Sequence, residues 1–237
     1  MNYRVLAEFK GLFDGKTYIH RDSSRGDWVA HHLYEDLFAL GKSKLLVERI
    51  KSHEHVLNVE NKRRGIDARR GDGTFGERIP GIVAIVDPGF AVARGPIANV
   101  EVGVEVKILA KAMIKQIGRV KNDLKDQVAQ FQRGAGKPIC IAIVGVNCAD
   151  YTVSYEGDRV WRTDGTRHKH PIQEAAEAEA RILAETKQKF DELIFLRYKA
   201  TNEPPYPFEW VSYIDTFKDD GAALTRISRE YETRFGS

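Results

Sequence analysis

Asn99-Val-Glu-Val-Gly-Val-Glu-Val-Lys-Ile-Leu109 alternates strictly between apolar residues and others. With a side-chain period of two, Val100, Val102, Val104, Val106 and Ile108 fall on one face of a strand. Glu101, Gly103, Glu105, Lys107 and Leu109 fall on the other. Downstream, an amphipathic helix is predicted over 113–133, with Ile117, Val120, Leu124, Val128 and Phe131 on its inner stripe and Gly134 past its end. Residues 138–146 then form a near-continuous apolar run, the pattern of a strand buried on both faces. Strand, helix and buried strand make a crossover unit, so the chain reads as α/β with a central mixed sheet flanked by helices.

Working outward, residues 79–86 are mostly apolar and read as the strand before it, halted by Asp87-Pro88-Gly89. Asp27 is placed to cap a helix carrying Trp28, Leu33, Leu37 and Leu40 at near-helical spacing, with Gly41 as its stop. Residues 44–50 predict a second short helix and 55–59 a strand; Arg70-Gly-Asp-Gly-Thr is a turn signal. Beyond the buried strand come a hairpin about Glu156-Gly157-Asp158, a helix opened by Pro171 and reaching about Phe190, and a strand over 193–198. A proline-rich loop and a last helix over 221–234 follow. Nothing resembling a repeat, a low-complexity tract or a Pro/Ser linker divides the sequence. Residues 1–237 are therefore read as one domain whose C-terminal third elaborates the sheet and offers a dimer surface or a grip on substrate.

Composition narrows the class. With 42% hydrophobic residues the chain can bury a core, and no apolar run approaches the roughly 18–20 residues needed to span a bilayer. The first ten residues lack a signal peptide's apolar stretch, so a cytoplasmic location is expected, with Cys140 and Cys148 as reduced thiols. The net charge of +3 says little, but residues 61–70 concentrate Lys62, Arg63, Arg64, Arg69 and Arg70 against Asp67 alone. That patch suits a polyanion or, equally, a solvated hairpin edge that discourages aggregation. No P-loop, dinucleotide fingerprint or nucleophile elbow is present, which argues against a nucleotide-driven enzyme or a serine hydrolase. The pairs His31-His32, His53-x-His55 and His168-x-His170 lack the further ligands of a zinc site.

Glu105 and Lys107, two apart on a strand, project to one side and can meet the same phosphate. The carboxylate can hold Mg²⁺ (or Mn²⁺), and the ammonium can orient an attacking water. One carboxylate binds Mg²⁺ poorly, so a second acid is required, normally from the neighbouring antiparallel strand. The alternative is an ordinary ion-pair face on the sheet.

These residues, with the 79–86 strand before them and the helix and buried strand after, resemble the PD-(D/E)XK nuclease superfamily and its restriction-endonuclease-like fold. The resemblance covers about residues 26–147 and includes an early helix bearing an acid, Glu35. It implies a Mg²⁺-dependent endonuclease acting on double-stranded DNA, with a restriction or phage-defence role and a homodimeric assembly. Glu105 and Lys107 match the family's ExK element. The family's usual Pro-Asp is absent, since this chain has Pro80-Gly81, and glycine binds no metal. Asp87 is the favoured substitute metal ligand, ahead of Glu77, with Asp67 more distant. If Gly81 marks a lost acid, the chain would bind nucleic acid without cutting it; a third reading is an α/β interaction protein whose strand charges are structural.

Overall fold

The alternating stretch lies in the middle of a mixed sheet in the computed structural model, which describes residues 2–19, 24–134 and 136–236. In chain order the elements are α1 (Arg4–Gly11), α2 (Ser24–Leu40), α3 (Lys44–Lys51), β1 (His55–Arg63), β2 (Ile66–Asp67), β3 (Gly73–Glu77), β4 (Arg94–Ile97) and β5 (Val102–Leu109). Then come α4 (Met113–Phe131), β6 (Ile139–Asn147), β7 (Val153–Glu156), β8 (Arg159–Arg162), α5 (Pro171–Thr186), β9 (Glu192–Ala200), β10 (Phe208–Trp210) and α6 (Tyr213–Phe235). The sheet order is β10-β9-β6-β5-β3-β1-β2, with β4 against β1, and β7–β8 form a separate hairpin. Among the described residues no helix is long and apolar enough to cross a membrane.

Two crossovers build the parallel half. β5 pairs in parallel with β6, and β6 with β9, the connections running through α4 and α5. Each of β5, β6 and β9 contributes side chains alternately to two cores. Val102, Val104, Ile141, Ile143, Ile194 and Tyr198 pack under α1, α2, α3 and α6. Cys140, Ala142, Val144 and Val146 pack under α4 and α5. Helices on both faces explain why β6 is buried at all nine positions and apolar at nearly every one. α1, which the sequence reading leaves unassigned, meets the far end of the chain: Tyr3 stacks on Phe217 at 4.6 Å, and Phe13 lies 4.5 Å from Tyr198.

Several predictions about the antiparallel half need correction. Residues 79–86 are no strand. Pro80-Gly81 makes a turn, with Gly81 at φ +83°, and the run touches β4 through the Ile79 N–H to Pro96 O and an isolated Ile85–Arg94 bridge. Val83 is 83% exposed, so this β-branched run has neither face covered. The strand beside β5 is β3, Gly-Thr-Phe-Gly-Glu, which shows no apolar alternation. β4 forms where a loop was expected, α2 starts at Ser24 ahead of Asp27, and α6 starts at Tyr213 ahead of Gly221. Glu101 also leaves the predicted face. The strand begins after it, and its carboxylate is held by Arg49, His55 and Tyr231.

A candidate carboxylate and lysine centre

Antiparallel register decides which acid meets Glu105. Gly73 lies opposite Val104, so Asp72, one residue before β3, falls opposite Glu105. The backbone N–H of Asp72 donates to Val104 O at 3.2 Å, and Val106 N–H donates to the Asp72 carboxylate at 2.6 Å. Asp72 is therefore clamped to the strand that carries both other residues. Lys107 Nζ lies 2.6 Å from Glu105 Oε1, as their shared strand face requires, whereas Glu105 Oε2 is buried with no hydrogen-bond partner.

Two glycines make room for the carboxylates. A Cβ on Gly26, in the first turn of α2, would stand 2.2 Å from Asp72 Oδ1. Gly71 has φ +64°, and a Cβ there would stand 2.9 Å from Glu105 Oε2. Two acids in so dry a place resist ionising together. Burial and then the Glu105 charge push Asp72 up to about 7, against the Val106 N–H bond and Lys107. Burial raises Glu105 as well, opposed chiefly by Lys107.

The other acids considered from sequence are engaged elsewhere. Asp87 forms a two-pronged pair with Arg94, one contact at 2.8 Å, and the Arg94 hydrogen bonds hold its carboxyl below the usual range. Glu77 is at the far end of β3, exposed, and accepts from Asn99. Glu35 is buried and accepts from the N–H groups of Ala91 and Val92 and from Arg4, so it fixes the loop following Pro88-Gly89. Asp67 sits on the exposed edge strand β2. Gly81 lies in the 79–86 loop rather than beside β5, so it is not the place where an acid opposite Glu105 would stand. The hairpin turn predicted at Arg70-Gly-Asp-Gly-Thr is only a bend at Asp72, with Gly73 and Thr74 already in β3 and the tight turn at Arg64-Gly65; the bend aims the aspartate inward. Asp27, in the first turn of α2, pairs with Arg70, and its charge bears on Asp72.

The basic stretch divides in two. Lys62, Arg64 and Arg69 are exposed and Arg70 is half-buried. Arg63 is only 4% exposed and donates to the carbonyls of Phe131 (3.0 Å) and Gln130 at the end of α4, so it is a structural cation. Arg63→Ala strands those carbonyls and should lower unfolding free energy by about 2–3 kcal/mol. Lys62→Ala and Arg64→Ala should leave thermal stability unchanged, which paired melting curves will check. Two α4 glutamines hold the adjoining turn: Gln127 donates to Arg69 O, and Gln130 accepts from Arg69 N–H. Lys111 lies before α4, buried over the Trp161 ring and bonded to Ser154.

The histidine pairs are used structurally. His31 contacts Val92 O, His55 contacts Glu101, and His170 contacts Thr163. Among the described residues no group of three or more His, Cys, Asp or Glu side chains is arranged to hold a metal. The two-carboxylate pair fits one divalent cation by a different criterion: it combines an orphaned buried oxygen, a raised pair of acids and glycines that keep the space open. No protein-family model, no curated protein and no solved structure matches this chain.

Proposed function

We propose that this chain is a Mg²⁺-dependent endonuclease of restriction-endonuclease-like fold that hydrolyses phosphodiester bonds in double-stranded DNA, in restriction or phage defence, as a homodimer. The observation that carries the reading is the register that sets Asp72 against Glu105 with Lys107 alongside. Asp72 and Glu105 would hold the cation, which when bound polarises the phosphate and lowers the pKa of an attacking water. Their raised proton affinity is the mark of negative charge awaiting a countercharge. Lys107 neutralises Glu105 and, when that carboxylate turns to the cation, is placed to orient the water and to stabilise charge developing on phosphate oxygens. Arg69, with Lys62 and Arg64 farther out on the same edge, would supply the sequence-independent grip on the backbone, while Arg70 is held by Asp27.

The test is incubation of the purified protein with supercoiled plasmid and Mg²⁺ or Mn²⁺. Nicked and linear products that vanish with EDTA are expected. DNA binding without cutting across several plasmids would instead favour a binding protein of the same fold, and neither binding nor cutting would return Glu105 and Lys107 to the role of structural charges. A readout independent of activity is available in thermal melts with Ca²⁺. Cation binding should raise the midpoint of the parent at pH 8, and the rise should disappear in Asp72→Asn and in Glu105→Gln. A rise that persists in both variants would place the cation elsewhere.

A further inference from the structure

Asp72 has a second neighbour besides Glu105. On its other side a cavity of about 230 Å³ opens between α2 and β1, walled by Trp28, His31, Leu57 and Val59 and rimmed by Arg70 and Arg94. Its aromatic wall is braced from behind. His31 lies nearly parallel to Trp28 (12°, ring centres 5.8 Å apart) and stacks on Phe90 at 4.3 Å. Burial lowers the His31 pKa, so this ring is neutral at physiological pH. Trp28 is 40% exposed, so this wall of the cavity can be reached from solvent.

The rim argues against a phosphate site. Arg70 is already paired with Asp27, and Arg94 with Asp87, while Asp72 adds a further carboxylate. What remains is a cavity with one aromatic and aliphatic wall (Trp28, Leu57, Val59), edged by guanidinium donors and carboxylate acceptors, a combination that suits a planar heterocycle with polar edges. Because Asp72 belongs both to this slot and to the carboxylate pair, an occupant of the slot lies one nucleotide's reach from the scissile phosphate. A base pair still in its stack cannot enter a slot recessed between a helix and a strand.

We infer that the Trp28 cavity receives an unpaired nucleobase adjoining the scissile phosphate, so that the preferred substrate carries an extruded or unpaired nucleotide there. This rests on the nuclease reading and deepens it. Aromatic stacking would hold the base, and a substrate already unpaired at that position would bind better, having no pairing or stacking left to lose.

The experiment uses two DNA duplexes of one sequence, one fully paired and one with a single unpaired 2-aminopurine. Each is titrated with the full chain in Ca²⁺, beside cleavage of supercoiled plasmid in Mg²⁺. The bulged duplex should bind about tenfold more tightly, with 2-aminopurine emission quenched on binding. Trp28→Ala should abolish the preference and the quenching while affinity for the paired duplex stays at the parent's value. Val59→Trp, which fills the cavity from an exposed strand position, should do the same if Trp28→Ala fails to fold. Equal affinity for both duplexes, or a preference that survives both substitutions, overturns the inference while plasmid cleavage keeps the nuclease reading standing. Binding of neither duplex at low salt, with the plasmid intact, overturns both.

Discussion

Asp72→Asn, Glu105→Gln and Lys107→Ala are each expected to reduce metal-dependent plasmid cleavage by on the order of 10³-fold, whereas Asp87→Asn and Glu77→Gln should cut at close to the parent rate. The contrast follows from what each carboxylate already holds. Asp87 is spent on Arg94 and Glu77 is displaced to the other end of β3, while Asp72 and Glu105 share a dry space with one orphaned oxygen between them. Rates that fell in Asp87→Asn and persisted in Asp72→Asn would sink the assignment. A pH signature accompanies it. Because Asp72 is pushed up to about 7, a proton must leave before a cation can bind. At subsaturating Mg²⁺ the rate should therefore fall as pH drops below 7, and excess Mg²⁺ should restore it.

Asp220→Asn should stabilise the protein at pH 8 by about 2–4 kcal/mol, one of the larger gains a single substitution can give. Asp220 is 1% exposed on α6, and neither carboxylate oxygen has a hydrogen-bond partner. Burial, with a smaller push from Asp36, raises it to about 7. Asp36 cannot relieve it, since its own oxygens accept the N–H groups of Arg4 and Val5 at 2.8 Å. The folded state thus keeps a proton that the unfolded chain releases near pH 4, so stability declines as pH rises from about 4 through 7 and stays low above it. Asparagine has no proton to lose. Melting midpoints of parent and variant should converge at pH 4, separate progressively between pH 4 and 7, and stay apart above it; a difference independent of pH would count against the mechanism. Asp72 titrates in the same window, so the variant should keep part of the parent's slope until Ca²⁺ is added.

How far the sequence carried these assignments varied with how local the signal was. β5, β6, α4 and the Pro171 helix each announce themselves through an uninterrupted period or a strong boundary, and the pairing of Glu105 with Lys107 needs only strand parity. Asp72 needs more. Its place depends on the register between β3 and β5, a relation between residues about thirty apart that no window contains. Two glycines in β3 hid the strand, and the Val- and Ile-rich run at 79–86 offered a more persuasive but false one. There, propensity was satisfied and burial was not. Arg63 was lost for a related reason: within a run of cations nothing distinguishes the one that turns inward to cap α4.

The meeting of α1 with the β9–β10 edge also bears on how the chain is made. Tyr3 finds its ring partner at Phe217 on α6, and the Tyr18 main chain is held by the Asn202 side-chain amide, donating to its Oδ1 at 2.7 Å and accepting from its Nδ2 at 3.1 Å. Residues that leave the ribosome early must wait for those that leave some two hundred positions later, on the order of 10–40 s at ordinary elongation rates. Through that interval Phe9 and Phe13 lack the Tyr198 and Phe208 rings they pack against, and β6 lacks the strand that covers its outer edge. A chain stalled before β9 would expose an apolar, edge-open sheet. Synthesis of this protein should accordingly be sensitive to holdase chaperones, and a permuted chain that places α1 after α6 should fold with less aggregation.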